Sequence, residues 1–386
     1  MDEDSGSGTA PRMQPLCLFL CGDVMLGRGI DQLLPHPGKP QLFEPYVRSA
    51  ADYVKLAQRA TGKLPSAAGY AYPWGDALAV LEERQPQARI INLETAVTTS
   101  DAHWPDKSVH YRMHPANLAC LTKAGIDCCV LANNHVLDWG NAGLEETLRL
   151  LHDAGIRTAG AGRDAAQAAA PAIVDIAGHG RLLVYAYGCA TAGVPQAWAA
   201  TARRHGVNFL PDYSMERADA IARHVARGRR AGDVVVISLH WGGNWGFGVS
   251  SPERAFAHRL IEAGAADLIH GHSSHHIRGI EIYRGKPVIY GCGDFLNDYE
   301  SIRGHENYRP DLTLMYFPVV EPTRGSLVEL TAVPMQIRHL RAGRAPREGV
   351  SWLHATLARE SARYGVDVER DEHTNAFTLR WAHAAP

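Results

Sequence analysis

"CGDVMLGRGID", residues 21–31, follows the apolar run Leu16-Cys17-Leu18-Phe19-Leu20. The pattern is that of a buried strand closing on a carboxylate, Asp23, beside Gly22. A Gly-Asp pair is also a common way to leave a strand. This window alone therefore does not separate a turn from a site. The ends of the other strands do.

Five further segments read as strands: 88–94 (ARIINLE), 127–133 (DCCVLAN), 234–241 (VVVISLHW), 267–272 (DLIHGH) and 287–295 (PVIYGCGDF). Unbroken apolar runs of this length fit strands buried on both faces. Helical spacing separates them. Residues 142–155 put Leu144, Leu148 and Leu151 on one face and stop at Gly155. Residues 214–230 open on Ser214 as an N-cap, and 251–265 open on Ser-Pro. Hairpins are expected over 172–188, turning at Gly178–Gly180, and over 280–291, turning at Arg284-Gly285. Beyond residue 310 the apolar residues alternate as in antiparallel strands, with a helix expected over 349–364. The order is that of an α/β layered fold with mixed sheets. Residues 36–87, rich in Pro, Gly and Tyr, read as an insertion or lid with a short helix near Asp76–Arg84. The expected organisation is a disordered leader over 1–14, a catalytic domain over 15–322, and strands and a helix over 323–386 that complete it.

The strand ends carry a consistent chemistry. After Asp23 come Glu94, then Asn133, Asn134, His135 and Asp138, then His240 and Trp241. His272, His275 and His276 follow, then Cys292 and Asp294. In open α/β sheets ligands bind beyond the carboxyl ends of the strands. Each residue alone has a structural explanation, but together these groups are costly beside a core unless they pair or bind something. Imidazole and carboxylate suit Zn, Mn or Fe. The same groups without metal are general acids and bases. Arg28 is a candidate holder of an anionic carboxylate or phosphate, and Asn133 and Trp241 are candidate substrate contacts. Asp294 is a candidate for orienting a His, and Cys292 for thiol acid–base or nucleophilic chemistry. The loop 299–311, dense in Tyr, Arg, His and Glu, is a candidate to close over substrate. There is neither a P-loop nor a GxGxxG pattern.

Composition narrows the field. The chain has 386 residues, with 39 Lys+Arg against 41 Asp+Glu, so no basic excess points to nucleic acid. The 7 Cys are odd in number, with no CxxC pair, which fits reduced thiols rather than a disulfide framework. No apolar run is long enough to span a membrane, and the acidic start lacks the basic region of a secretory signal. A cytoplasmic location is expected, with no membrane partner.

The ordered blocks "GDVMLGRGID", "NLETAVT", "LANNHVLDWG", "SLHWGGNW" and "GHSSHHIRGIEIYRGKPVIYGCGDFLND" resemble the CapA family, named for a poly-γ-glutamate capsule protein and similar in fold to calcineurin-like metallophosphoesterases. The likeness covers roughly residues 16–320 and implies a layered α/β sandwich with mixed sheets flanked by helices. It implies one ion site of Asp23, Glu94 and His275 and another of Glu94, Asn134, His240 and His272, with His135 as general acid. Met25 stands where the phosphoesterase pattern has a His. The resemblance thus implies one or two divalent ions (Mn, Zn or Fe), or none. The activity implied is metal-assisted hydrolysis of a phosphoester or of a glutamyl or peptide amide. The family resemblance also includes metal-independent epimerases, which convert an L to a D residue in a lasso precursor peptide. A binding protein without catalysis is the third reading. The substrate expected is a peptide, a polyglutamate-like chain or a phosphoester.

Overall fold

The structure, a computed structural model, describes residues 13–300 and 304–382. Apart from Met13 and Gln14, the expected leader lies outside the described residues, as do residues 301–303 of the loop 299–311.

Two sheets stack face to face. The larger, of ten strands, runs in the order Val366–Arg370, Phe377–Trp381, Ser326–Ile337, Leu312–Glu321, Leu16–Val24, Ala88–Leu93, Cys128–Val130, Arg157–Ala159. Its last four strands are parallel, and Leu312–Glu321 joins Leu16–Val24 antiparallel. The smaller, of seven strands, has Gly180–Cys189, Val234–His240, Leu268–His272 and Lys286–Ile289 in parallel succession. Strand alternation explains the layering. Leu16, Leu18 and Leu20 pack between the sheets with Val234, Val236 and Leu268. Phe19 and Cys21 face the other way, into a core shared with the helices Ala77–Arg84 and Gly140–Asp153. Val235, Ile237 and Leu239 back onto the helices Met215–Gly228 and Ser251–Glu262. The fold is a layered α/β sandwich of mixed sheets with helices on both outer faces. Among the described residues no helix is long and apolar enough to cross a membrane.

Both hairpins form, and Arg284 and Gly285 turn the second with φ of 50° and 72°, the pair of positive angles that a two-residue turn of this kind needs. Ser214 caps its helix by accepting from Arg217 N. The next helix is capped by Ser250 rather than Ser251, in a capping box with Glu253. The expected strand 287–295 is two strands: Lys286–Ile289 stays in the smaller sheet, while Asp294–Leu296 pairs with Leu16–Val24 in the larger. The chain crosses between sheets through Gly291-Cys292-Gly293, with Gly293 at φ 80°. Asp294 therefore opens a strand instead of closing one. The helix Ala50–Thr61 was not legible as such in the sequence. It lies in the stretch 36–87, which also supplies part of a cavity wall.

Candidate active site

The carboxyl ends of the parallel strands from both sheets meet at one edge. Asp23 is in register with Asn92 and Asp294, and His240 with His272. Above them opens a cavity of about 680 Å³.

His240 lines it, and behind it Asp23, His240 and His272 bring ligand atoms within 4.8 Å of one another. The hydrogen bonds beneath them set the imidazole protons. His270 Nε2 lies 2.7 Å from the carbonyl oxygen of Cys21, which only accepts, so this nitrogen carries the proton. His270 Nδ1 is left to accept from Ser238 Oγ, 3.2 Å away. Ser238 Oγ then accepts from His272 Nε2 at 2.8 Å. His272 Nδ1 is thus a lone pair, 2.8 Å from His240 Nδ1 and 3.5 Å from Asp23 Oδ1. His240 Nε2 faces Asn134 Oδ1 at 3.1 Å and donates to it, which leaves a second lone pair on His240 Nδ1. Two imidazole lone pairs and a carboxylate converge, an arrangement that a cation satisfies. Burial holds both rings neutral by pushing His240 and His272 well below the usual His value. Burial, then Asp294, pushes Asp23 up to about 7. Burial, then Asp23 and Asp294, pushes Glu94 well above the carboxylate range. Three buried carboxylates grouped in this way suit a bound cation.

The ligand grouping differs from the one implied by the resemblance. Asp23 sits with His240 and His272, whereas His275 turns to Asp294, with Nδ1 2.9 Å from Oδ1. Ser273, at φ 96°, turns the chain between the two histidines and donates its N–H to Asp23 Oδ2 at 3.1 Å. Burial lowers His275, but the charge and hydrogen bond of Asp294, then Asp23, outweigh it and hold His275 above its usual value. Glu94 Oε1 lies 3.9 Å from both His135 Nε2 and His240 Nε2. Met25 carries no ligand role here: its sulfur accepts the Tyr299 hydroxyl at 3.4 Å, and Tyr299 in turn accepts from Tyr111 at 2.7 Å.

His135 Nδ1 is 2.7 Å from Asp138 Oδ2, which also accepts from Tyr111 N at 2.7 Å. Nε2 is therefore the atom free to exchange protons. Burial brings His135 down to about 4, so at neutral pH it accepts a proton before it can donate one. Lys107 bonds Asp138 Oδ1 and the carbonyl of Asn134, closing the back of this pair. Lys107 had no signal in the sequence, because it lies in an irregular stretch of 98–110 without periodicity.

Four expected site residues are not brought to the cavity in the expected roles. Cys292 is fully buried between the sheets, and burial, then Asp23, raises its thiol well above the usual range, which suits an inert packing group. Trp241 is buried under the smaller sheet, donating to Tyr290 O at 3.0 Å. Asn133 spends its amide on Asn92 Oδ1 and Leu93 O and its oxygen on the amides of His135 and Val136. Arg28 does line the cavity, but its guanidinium is committed to Asp298 through two nitrogens and to Glu44 at 2.8 Å. Asp294 Oδ1 lies 2.9 Å from His275 Nδ1, and its other oxygen accepts from Asn297 Nδ2.

A family model described as "Bacterial capsule synthesis protein PGA_cap" matches residues 17–299. A probable polyglutamine synthesis accessory protein of Mycobacterium tuberculosis (strain H37Rv) is 47% identical over 352 residues, 91% of this chain and 92% of that protein. The capsule biosynthesis protein CapA of Bacillus anthracis is 24% identical over 285 residues, 74% of this chain and 60% of that one. The chain belongs to the bacterial capsule synthesis (CapA, PGA_cap) family, with its metallophosphoesterase-like fold.

Proposed function

We propose that this chain is a metal-assisted hydrolase, acting on a glutamyl or peptide amide or on a phosphoester. The observation that carries the reading is the convergence of Asp23 with two lone-pair nitrogens, His240 Nδ1 and His272 Nδ1. Asp23, His240 and His272 would hold one divalent ion, with Glu94 and Asn134 beside it; the ion supplies Lewis acidity and an activated water. His135 takes a proton at Nε2 and passes it to the leaving group, with its ring fixed by Asp138. The names of the relatives, a polyglutamine synthesis accessory protein and a capsule biosynthesis protein, support a role connected with polyglutamate or capsule.

Metal analysis of the purified protein tests this reading. About one equivalent of Mn, Zn or Fe is expected, retained or restored on addition. Less than about one-tenth of an equivalent, with added Mn or Zn neither binding nor activating, overturns it. Incubating candidate peptides in deuterated water separates the isomerase: deuterium gain at Cα and a D residue without cleavage would replace hydrolysis by epimerisation.

A further inference from the structure

The cavity has no surplus of positive charge. Among the described residues that line it, the Lys and Arg side chains are Arg28 and Lys107. Arg28 is held by two carboxylates, Glu44 and Asp298, and Lys107 by Asp138. His275 is paired with Asp294. Each cationic group thus has its own acid. Asp23 and Glu94 remain, and one divalent ion brings two positive charges against those two. Nothing is left over for a substrate that carries a negative charge on every residue, and burying such a charge without a partner is costly.

The wall contributed by 36–87 has the opposite character. Tyr46, Val47 and Leu56 line the cavity there, beside Tyr53. Val47 and Leu56 rest on a small separate cluster of Leu42, Ala50 and Tyr53, so the surface they present is propped from behind. Tyr46 is 82% exposed, an aromatic ring at a cavity with little of the protein covering it. A second segment adds Trp245, on which His305 stacks with centroids 3.8 Å apart. Apolar walls with few oriented polar groups are the usual design for seating an uncharged side chain.

From this we propose that the site takes a peptide segment that is uncharged next to the reacting bond and seats an apolar or aromatic side chain against Tyr46, Val47 and Leu56. It does not take a run of glutamates there. The proposal deepens the hydrolase reading and rests on it for the position of the bond. Its test is binding, which requires no turnover. Fluorescence of the full chain, with Mn²⁺ present, reports titration by a blocked tetrapeptide of alanine, phenylalanine and leucine, and separately by tetra-γ-glutamate. The apolar peptide is expected to bind about tenfold or more tighter. Tyr46→Ala, at an exposed position that leaves the fold intact, weakens that binding about fivefold, and Val47→Asp weakens it further. Tighter binding of tetra-γ-glutamate, binding of neither probe, or an unchanged affinity in Tyr46→Ala overturns the proposal. A peptide that binds as expected and is never cleaved sinks the hydrolase reading alone.

Discussion

His272 and His240 face each other through Nδ1 atoms 2.8 Å apart, and Ser238 Oγ holds the far nitrogen of His272 at 2.8 Å. The serine acts as a relay: it gives its proton to His270 and takes that of His272, fixing which nitrogen of His272 is free. Ser238→Ala removes the relay and lets His272 turn its proton inward. The affinity for Mn²⁺ or Zn²⁺ is expected to fall about tenfold, read by calorimetry or as a smaller thermal shift on adding the ion. An affinity equal to wild type would show that the relay does not set the tautomer.

Tyr299 occupies the thioether of Met25, and no second cluster of acidic, His or Cys ligands is formed among the described residues. The protein should therefore saturate at one ion per chain. A second equivalent that survives gel filtration contradicts this reading. Asp23→Asn is expected to abolish the thermal shift caused by the ion, whose binding in wild type stabilises the fold by about 2.7 kcal/mol when the ion stands at a hundred times its dissociation constant.

Asp138 holds His135 and Lys107 together, with its side chain fully buried. Burial alone raises its carboxyl, but His135 and Lys107 bring it below the usual value. Asp138→Asn leaves the partly buried Lys107 ammonium with the Asn134 carbonyl but without its carboxylate partner, and urea denaturation should show a loss of about 2 kcal/mol. His135→Ala removes the proton-exchanging ring yet leaves the Lys107–Asp138 pair, so it should cost less stability and more activity. Equal losses of stability in the two variants would deny Lys107 its dependence on Asp138.

Much of this site was legible because its residues sit at strand ends, where short apolar runs are followed by polar groups. Asp23, Glu94, Asn134, His135, His240, His272 and His275 all reach one edge for that reason. Their pairing was not legible. Ser273 turns the chain so that His275 meets Asp294, and a left-handed serine leaves no pattern in a sequence. The commitment of Arg28 was hidden too, since its partners lie 16 and 270 residues away. Cys292 and Trp241 look like site residues only if the 287–295 run and its neighbour are taken as strands that end at the cavity. The chain instead crosses between sheets at Cys292, and Trp241 turns beneath its own sheet.

Glu281 gives a pH dependence away from the cavity. Arg254 takes it at 2.7 Å and 3.1 Å, Tyr290 donates at 2.6 Å, and His258 lies at 3.0 Å. Burial raises its carboxyl, but these hydrogen bonds outweigh that and leave it below its ordinary value of 4.5. A lowered folded value means stability that is fully present above the unfolded value and is lost as pH falls through the folded one. The wild type should lose more stability than Glu281→Gln as pH is lowered from about 6 to about 3, with the two curves parallel above that range. Parallel curves throughout would show that the carboxylate is no better held folded than unfolded.

Gly22 and Gly293 make a close backbone approach beside the site. A Cβ built on Gly22 would overlap the carbonyl oxygen of Gly293, and that same oxygen accepts the N–H of Asp23 at 3.0 Å. The obstacle is backbone, not a flexible side chain, and Gly293 is fixed at φ 80° by the crossing between sheets. Gly22→Ala must therefore push the crossing strand away, at the upper end of about 1–3 kcal/mol for overpacking. Because the displaced segment carries Asp294, the partner of His275, and adjoins Asp23, ion binding should weaken in the fraction that stays folded. Gly27→Ala is a comparison at a glycine just past the end of the same strand, where an added Cβ would press on Thr95 Oγ1 and on the Arg112 backbone instead; it should lower stability without the same loss of ion affinity. If the two variants bind the ion equally well, the Gly22–Gly293 approach serves packing alone.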